Sequence, residues 1–167
     1  VADLDIAQDQ PWAPRRKPAT GKKIAVVGAG PSGLSAAYYS AVNGHDVTVF
    51  ERQHYAGGMM RYGIPEYRLP KATLDKEIDL IKNLGVKIMT KKTLGTHIRL
   101  EDLHEDFDAV YLAIGSWRAT PLQVEGENLP GVWLGIQFLE QVTKQADVRL
   151  GEDVVVIGGG NTAIDCA

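Results

Sequence analysis

KIAVVGAGPSG, residues 23–33, decides how the rest of this chain is read. Ile24, Ala25, Val26 and Val27 form a short apolar run rich in β-branched side chains, the pattern of a strand covered on both faces. Gly28, Gly30 and Gly33 follow at G-x-G-x-x-G spacing, and an Ala-rich stretch, residues 34–43, is suited to a helix. The glycines thus fall where a strand turns into a helix. Gly28 permits the tight turn, Gly30 lets backbone approach a pyrophosphate, and Gly33 lets the helix pack closely on the strand. Amide N–H groups and the positive end of the helix then face the anion. Val47, Thr48, Val49 and Phe50 read as the next strand, closed by Glu51. An acid about 20 residues on is where adenosine ribose hydroxyls are held. The unit is β-α-β, so the expected fold class is α/β: a Rossmann-like nucleotide-binding fold with a parallel sheet and helices on both faces.

Upstream, residues 1–22 carry Pro11, Pro14 and Pro18 around Arg15, Arg16 and Lys17, and read as an extended linker with a solvated basic triplet. Trp12 is expected to fold back on the domain. Downstream, residues 52–70 (RQHYAGGMMRYGIPEYRLP) show little helix or strand periodicity. A loop this long with such aromatic and apolar content points to function rather than disorder. Its glycines let backbone approach a flat ligand, and Arg61 and Arg68 are suited to phosphate or to stacking on a ring. Met59, Met60, Tyr62 and Ile64 fit a ligand pocket and an ordinary core equally well. Residues 72–84 place Leu74, Ile78, Ile81 and Leu84 on one helical face, stopped by Gly85. Residues 86–88 start a strand and residues 100–107 a short acidic helix. His97 and His104 flank that helix without a second ligand at metal spacing, so they read as surface residues. Residues 109–117 (AVYLAIGSW) form another buried-strand run, and a helix is expected within residues 132–146.

Near its end the chain repeats its opening pattern. Residues 154–157 (VVVI) read as a buried strand, and Gly158, Gly160 and Ala163 restate the fingerprint with Ala in third place. Two such corners in one chain argue for two bound nucleotides. Three segments are therefore expected: a linker (1–22), a nucleotide-binding domain (23–150) and the start of a second one (151–167). The 167 residues, 44% hydrophobic and 23% charged, suit an ordinary globular domain. A net charge of −3 gives no general attraction for nucleic acid, and no apolar run is long enough to span a bilayer. The single cysteine, Cys166, leaves no internal disulfide, which fits a cytoplasmic setting. The chain begins on Val1 and closes within what reads as the opening turns of a helix, so it is expected to be a piece of something longer.

The run GGMMRYGIPEYRLP, residues 57–70, together with GAGPSG, AIGS (113–116) and GGNTAIDCA (159–167), resembles the glutamate synthase small (β) subunit family. That family includes the flavin half of dihydropyrimidine dehydrogenase and NADPH:ferredoxin-type oxidoreductases. The resemblance implies an enzyme that passes electrons from NADPH to FAD and on to iron–sulfur clusters or a partner subunit. It implies FAD on Gly28, Ala29, Gly30, Pro31, Ser32 and Gly33, with the ribose on Glu51. Further flavin contacts fall on Arg52, Gly58, Met59, Arg68, Leu94, Ala113, Ile114 and Gly115. NADPH falls on Asn161, Thr162, Ala163 and Ile164, and the 4Fe-4S clusters are expected outside this chain. No side chain here is required as an acid, base, nucleophile or metal ligand, because the chemistry belongs to the cofactors. The chain alone is expected to lack glutamate synthase activity. Two other readings stand beside this one: a pyridine nucleotide–disulfide reductase, which needs a Cys-x-x-Cys pair, and a non-catalytic nucleotide-binding or assembly module.

Overall fold

The computed structural model describes residues 14–167. The expectation for Trp12, and most of the linker before it, lies outside these residues. Strand β1 (Lys23–Val27) leads through the glycine corner into α1 (Pro31–Val42) and on to β2 (Asp46–Phe50). A short α2 (Met59–Tyr62) and the longer α3 (Lys71–Asn83) precede β3 (Lys87–Met89). Then come α4 (Leu100–Asp106), β4 (Ala109–Leu112), α5 (Gly135–Thr143) and α6 (Asn161–Cys166). The four strands form one sheet in the order β3-β2-β1-β4. Every pairing is parallel, with Ile24 opposite both Val47 and Ala109. Parallel neighbours need crossovers, and α1, α3 and α4 supply them.

Side chains alternate across β1. Val26 points to one face, where it meets Val49, Ala37, Leu74 and Ile78 beneath α1 and α3. Ala25 and Val27 point to the other, where Phe50 and Leu103 of α4 close over them. Val26 and Val49 are fully buried, each worth about 1.5–3 kcal/mol of transfer free energy. Helices therefore cover both faces, as the apolar run predicted. Gly44 and Gly85 close α1 and α3 with amide bonds of 2.9 and 2.8 Å to Ala41 and Lys82 carbonyls.

Three expectations need correction. The basic triplet is not wholly solvated: Arg16 donates to the carbonyls of Leu84 and His45, at 3.3 and 2.9 Å, and pairs with Asp46. Its planar fork matches carbonyls presented by two helix ends, a tertiary arrangement that three consecutive charges do not announce. The run 109–117 is a strand only as far as Leu112, and it is an edge: Tyr111 and Leu112 are exposed. Finally, residues 154–157 form no strand, and Val155 and Ile157 are 85% and 75% exposed. An apolar β-branched run reports preference for a sheet; strand geometry also needs a partner to accept its ladder bonds, and no described residue pairs with it.

Candidate nucleotide site

The glycine corner is held by backbone contacts so close that side chains are excluded from two of its three glycines. Gly28 has φ +108°, and a Cβ there would lie 2.2 Å from the Ala113 carbonyl oxygen. A Cβ on Gly33 would lie 1.8 Å from the Gly28 oxygen. Gly30 is different. Its backbone is extended (φ −80°, ψ −174°), and a Cβ there would meet nothing nearer than the Gly58 Cα at 3.8 Å. Packing within the protein does not explain a glycine at 30; an open approach to the backbone does.

Helix α1 begins at this corner with Pro31, without a side-chain cap and without an acidic residue in its first turn. The first amides of a helix have no partner within it. Here the Leu34 amide reaches the Gly30 carbonyl at 2.9 Å, while Pro31 and Ser32 are exposed and Gly33 is buried. The corner thus offers donors and the positive end of a 12-residue helix to an anion.

Glu51 stands at the end of β2, buried, and braces the corner. Its Oε2 accepts from the Ala29 amide at 2.7 Å and its Oε1 from the Gln53 amide at 2.8 Å. Each carboxylate oxygen keeps a second lone pair, so the group is able to receive a sugar hydroxyl as well. The sequence assigned Glu51 a ligand; the fold adds a structural duty. Arg52, exposed, lies 4.6 Å from the centre of the Trp117 ring, and Tyr62 stacks obliquely on the same ring at 6.1 Å. Trp117 links the ends of β2 and β4. It sits just past Gly115 in the quoted run, but nothing in the spacing announced its partner.

The long loop is less open than its composition implied. The Gly57 amide donates to the Ala29 carbonyl at 2.8 Å. Gly58 has φ +53°, and a Cβ on it would come within 2.6 Å of the Gly30 Cα. These glycines let the loop press on the corner itself. Met59 and Met60 are half-buried in α2 and Tyr62 is buried; burial pushes the Tyr62 hydroxyl pKa up. Arg61 is spent internally: its Nε donates to the Ala56 carbonyl at 2.6 Å, its guanidinium pairs with Asp75, and it lies over Tyr55. Lys71, whose pKa burial lowers, donates to the carbonyls of Met60, Ile64 and Leu69 at 3.1, 2.6 and 3.1 Å. The loop is thereby shaped from both ends.

Gly28 lies against Ala113, Ala29 is bonded to Glu51 and Gly30 lies against Gly58, so these residues gather at one corner. Ile114 and Gly115 are exposed just beyond Ala113, and Leu94 packs beside Phe50 under the same end of the sheet. Asn161, Thr162, Ala163 and Ile164 form the first turn of α6, where the Thr162 methyl faces Gly135 of α5. Arg68 is the link between the two regions: its Nη1 donates to Asp165 Oδ1 of α6 at 2.6 Å. Burial, then the charge of Asp165, raises the Cys166 thiol pKa.

Comparison with known proteins agrees with this geometry. The chain is 46% identical over 158 residues to the NADPH-Fe(3+) oxidoreductase subunit beta of Geobacter sulfurreducens, covering 90% of this chain and 23% of that one. It is 39% identical over 168 residues to the glutamate synthase [NADPH] small chain of Bacillus subtilis, covering 94% and 34%. The chain therefore spans between about a quarter and about a third of the length of these curated relatives. Among solved structures, Mycobacterium tuberculosis FprA in complex with NADPH superposes with a TM-score of 0.74 at 28% identity, covering 87% of this chain and 35% of that one. A 2-naphthoyl-CoA reductase complex gives 0.73 at 30%, covering 90% and 22%. Residues 22–167, nearly the whole of what the structure describes, match a single family profile, and the chain belongs to the pyridine nucleotide-disulphide oxidoreductase family.

Proposed function

We propose that this chain is part of an FAD-dependent oxidoreductase subunit of the glutamate synthase small-subunit type. In this reading it takes electrons from NADPH and delivers them to iron–sulfur clusters or a partner subunit. The observation that carries the proposal is the uncapped start of α1 beside Gly30, where an added Cβ would find open space. A dinucleotide's pyrophosphate fits that combination of helix end, bare backbone and adjacent carboxylate. The relatives named above, both named for NADPH, support the nicotinamide half of the reading.

Bound there, FAD would supply the two-electron acceptor chemistry. The residues of this chain do the rest. Of Gly28–Gly33, the Gly30, Ser32 and Gly33 amides remain for the diphosphate, since Gly28 and Ala29 donate to Phe50 and Glu51 and Pro31 has no N–H. Glu51 accepts a ribose hydroxyl, and Arg52 and Arg68 balance negative charge. Gly58 and Met59, with Leu94 and the Ala113–Ile114–Gly115 strand end, shape the space for the remainder of the nucleotide. Asn161, Thr162, Ala163 and Ile164 would meet NADPH, so residues 23–150 serve the flavin and 151–167 open the nicotinamide domain. In this reading the setting is cytoplasmic. No helix among the described residues is long and apolar enough to cross a membrane.

A dithiol reductase would use a Cys-x-x-Cys pair, which thiol titration of the full-length protein before and after NADPH reduction would reveal. An assembly module would leave the corner without a cofactor. The deciding experiment is to purify the full-length protein and record its visible spectrum. Bound flavin that NADPH bleaches under anaerobic conditions is expected. A colourless protein that takes up no FAD would sink the proposal.

A further inference from the structure

The loop of the first corner and the helix of the second meet at one ion pair. Asp165 sits one turn into α6, its side chain 6% exposed, and accepts from Arg68, whose side chain is 39% exposed. The Arg68 end of the pair is itself held. Its amide bonds to the Pro65 carbonyl at 3.1 Å, and its neighbour Leu69 bonds to the same oxygen at 3.0 Å. Leu69 also lines an apolar groove with Pro31 and Met60, which places this loop beside the start of α1. Among the described residues the guanidinium makes this one hydrogen bond. It has five N–H donors in a fixed fork, so most of its donor capacity remains for an anion on its exposed side.

We propose that Asp165 is a positioning residue for the first nucleotide: from the helix of the second corner it fixes the guanidinium of Arg68 toward the phosphates bound at the first. This rests on the flavin reading above. A long arginine side chain free to sample its rotamers loses that freedom on gripping a phosphate; one already anchored through a buried carboxylate has lost it on folding. Asp165 thus makes binding at the first corner depend on the placement of a helix that belongs to the second. Its role is the hydrogen bond that orients the fork rather than the negative charge, because a charge alone would oppose a phosphate nearby.

The test uses the full-length protein stripped of cofactor and titrated with FAD, with flavin fluorescence as the readout and a melt of each apoprotein beside it. Asp165→Ala is expected to raise the FAD dissociation constant about tenfold, and Asp165→Asn, whose amide oxygen still accepts, to stay within about threefold. In an Arg68→Met background Asp165→Ala is expected to add nothing, since the path through Arg68 is gone. Should the alanine variant fail to fold, Asp165→Ser, too short to reach, replaces it with the same expectation. An unchanged constant in Asp165→Ala, an equal loss in both backgrounds, or an asparagine variant as weak as alanine would each overturn the proposal. Wild-type protein that binds no FAD would instead overturn the flavin reading.

Discussion

Gly30→Ala is the substitution that separates binding from folding at this site. The added Cβ meets nothing closer than 3.8 Å, at the Gly58 Cα, which is ordinary contact. The backbone there, φ −80° and ψ −174°, is open to alanine. Two opposed effects bear on stability. Alanine restricts the unfolded chain more than glycine does, a gain of about 0.4–1 kcal/mol. As a helix N-cap alanine is poorer than glycine, by roughly 0.5–1 kcal/mol. The sum lies within about 1 kcal/mol of zero. Binding carries no such cancellation. A methyl group set where a diphosphate approaches the backbone keeps its oxygens from the amides, and each charge-assisted hydrogen bond is worth about 1.5–3 kcal/mol. Losing two weakens FAD by roughly 3–6 kcal/mol, on the order of 10²- to 10⁴-fold. The assay is a urea melt of cofactor-free full-length protein, which removes ligand linkage, beside a fluorescence titration with FAD. Gly33→Ala serves as the contrast, because its Cβ would lie 1.8 Å from the Gly28 oxygen and the fold itself should fail. The reasoning is refuted if Gly30→Ala binds FAD within about threefold of wild type, or if its melt collapses as that of Gly33→Ala does.

Three further outcomes are expected. Gly58→Ala forces a Cβ to within 2.6 Å of the Gly30 Cα at φ +53°; it should cost roughly 1–3 kcal/mol and speed amide exchange in residues 57–63, and unaltered exchange would count against the loop's seat on the corner. Trp117→Leu removes the ring over which Arg52 lies, a contact worth about 0.5–1 kcal/mol at an exposed site. FAD affinity should fall about two- to fivefold, and no change would mean that Arg52 acts without it. Asp108 accepts from Lys22 Nζ at 2.7 Å and from the Lys23 amide at 2.9 Å, and the Lys22 hydrogen bond first, then the amide, lowers its carboxyl pKa. Its contribution is therefore present above the unfolded aspartate value, about 3.9, and is lost as pH falls through the depressed folded value. Asp108→Asn should flatten that part of the acid limb in a plot of melting temperature against pH; an acid limb identical to wild type would remove Asp108 from the account.

The first corner was legible because each of its requirements is local. A strand covered on both faces must be apolar at consecutive positions, a corner whose backbone atoms touch must lack Cβ atoms, and both constraints fall on neighbouring residues from Ile24 to Gly33. Glu51 was legible for the same reason, standing at the end of the next strand. The helix at residues 71–83 announced itself through Leu74 and Ile78, which recur with the helical period and do lie buried. The loop at residues 52–70 does press on the glycine corner through Gly57 and Gly58, but its interior was not readable. Arg61 and Arg68 look alike in the sequence, yet one is locked to Asp75 and the Ala56 carbonyl and the other reaches Asp165.

What only the tertiary structure decided concerns partners distant along the chain. Sequence alone established the strand–corner–helix order, the parallel class and the spacing of the acid, since hydrophobic period and backbone sterics act between near neighbours. It read residues 154–157 as a buried strand and residues 109–117 as a buried run, where the structure has no strand and an exposed edge, and it left open that Arg52 finds Trp117 and that Asp165 finds Arg68. Strand pairing, edge exposure and ion pairing are properties of two segments brought together, and a one-dimensional pattern records what each segment prefers, not which other segment will meet it.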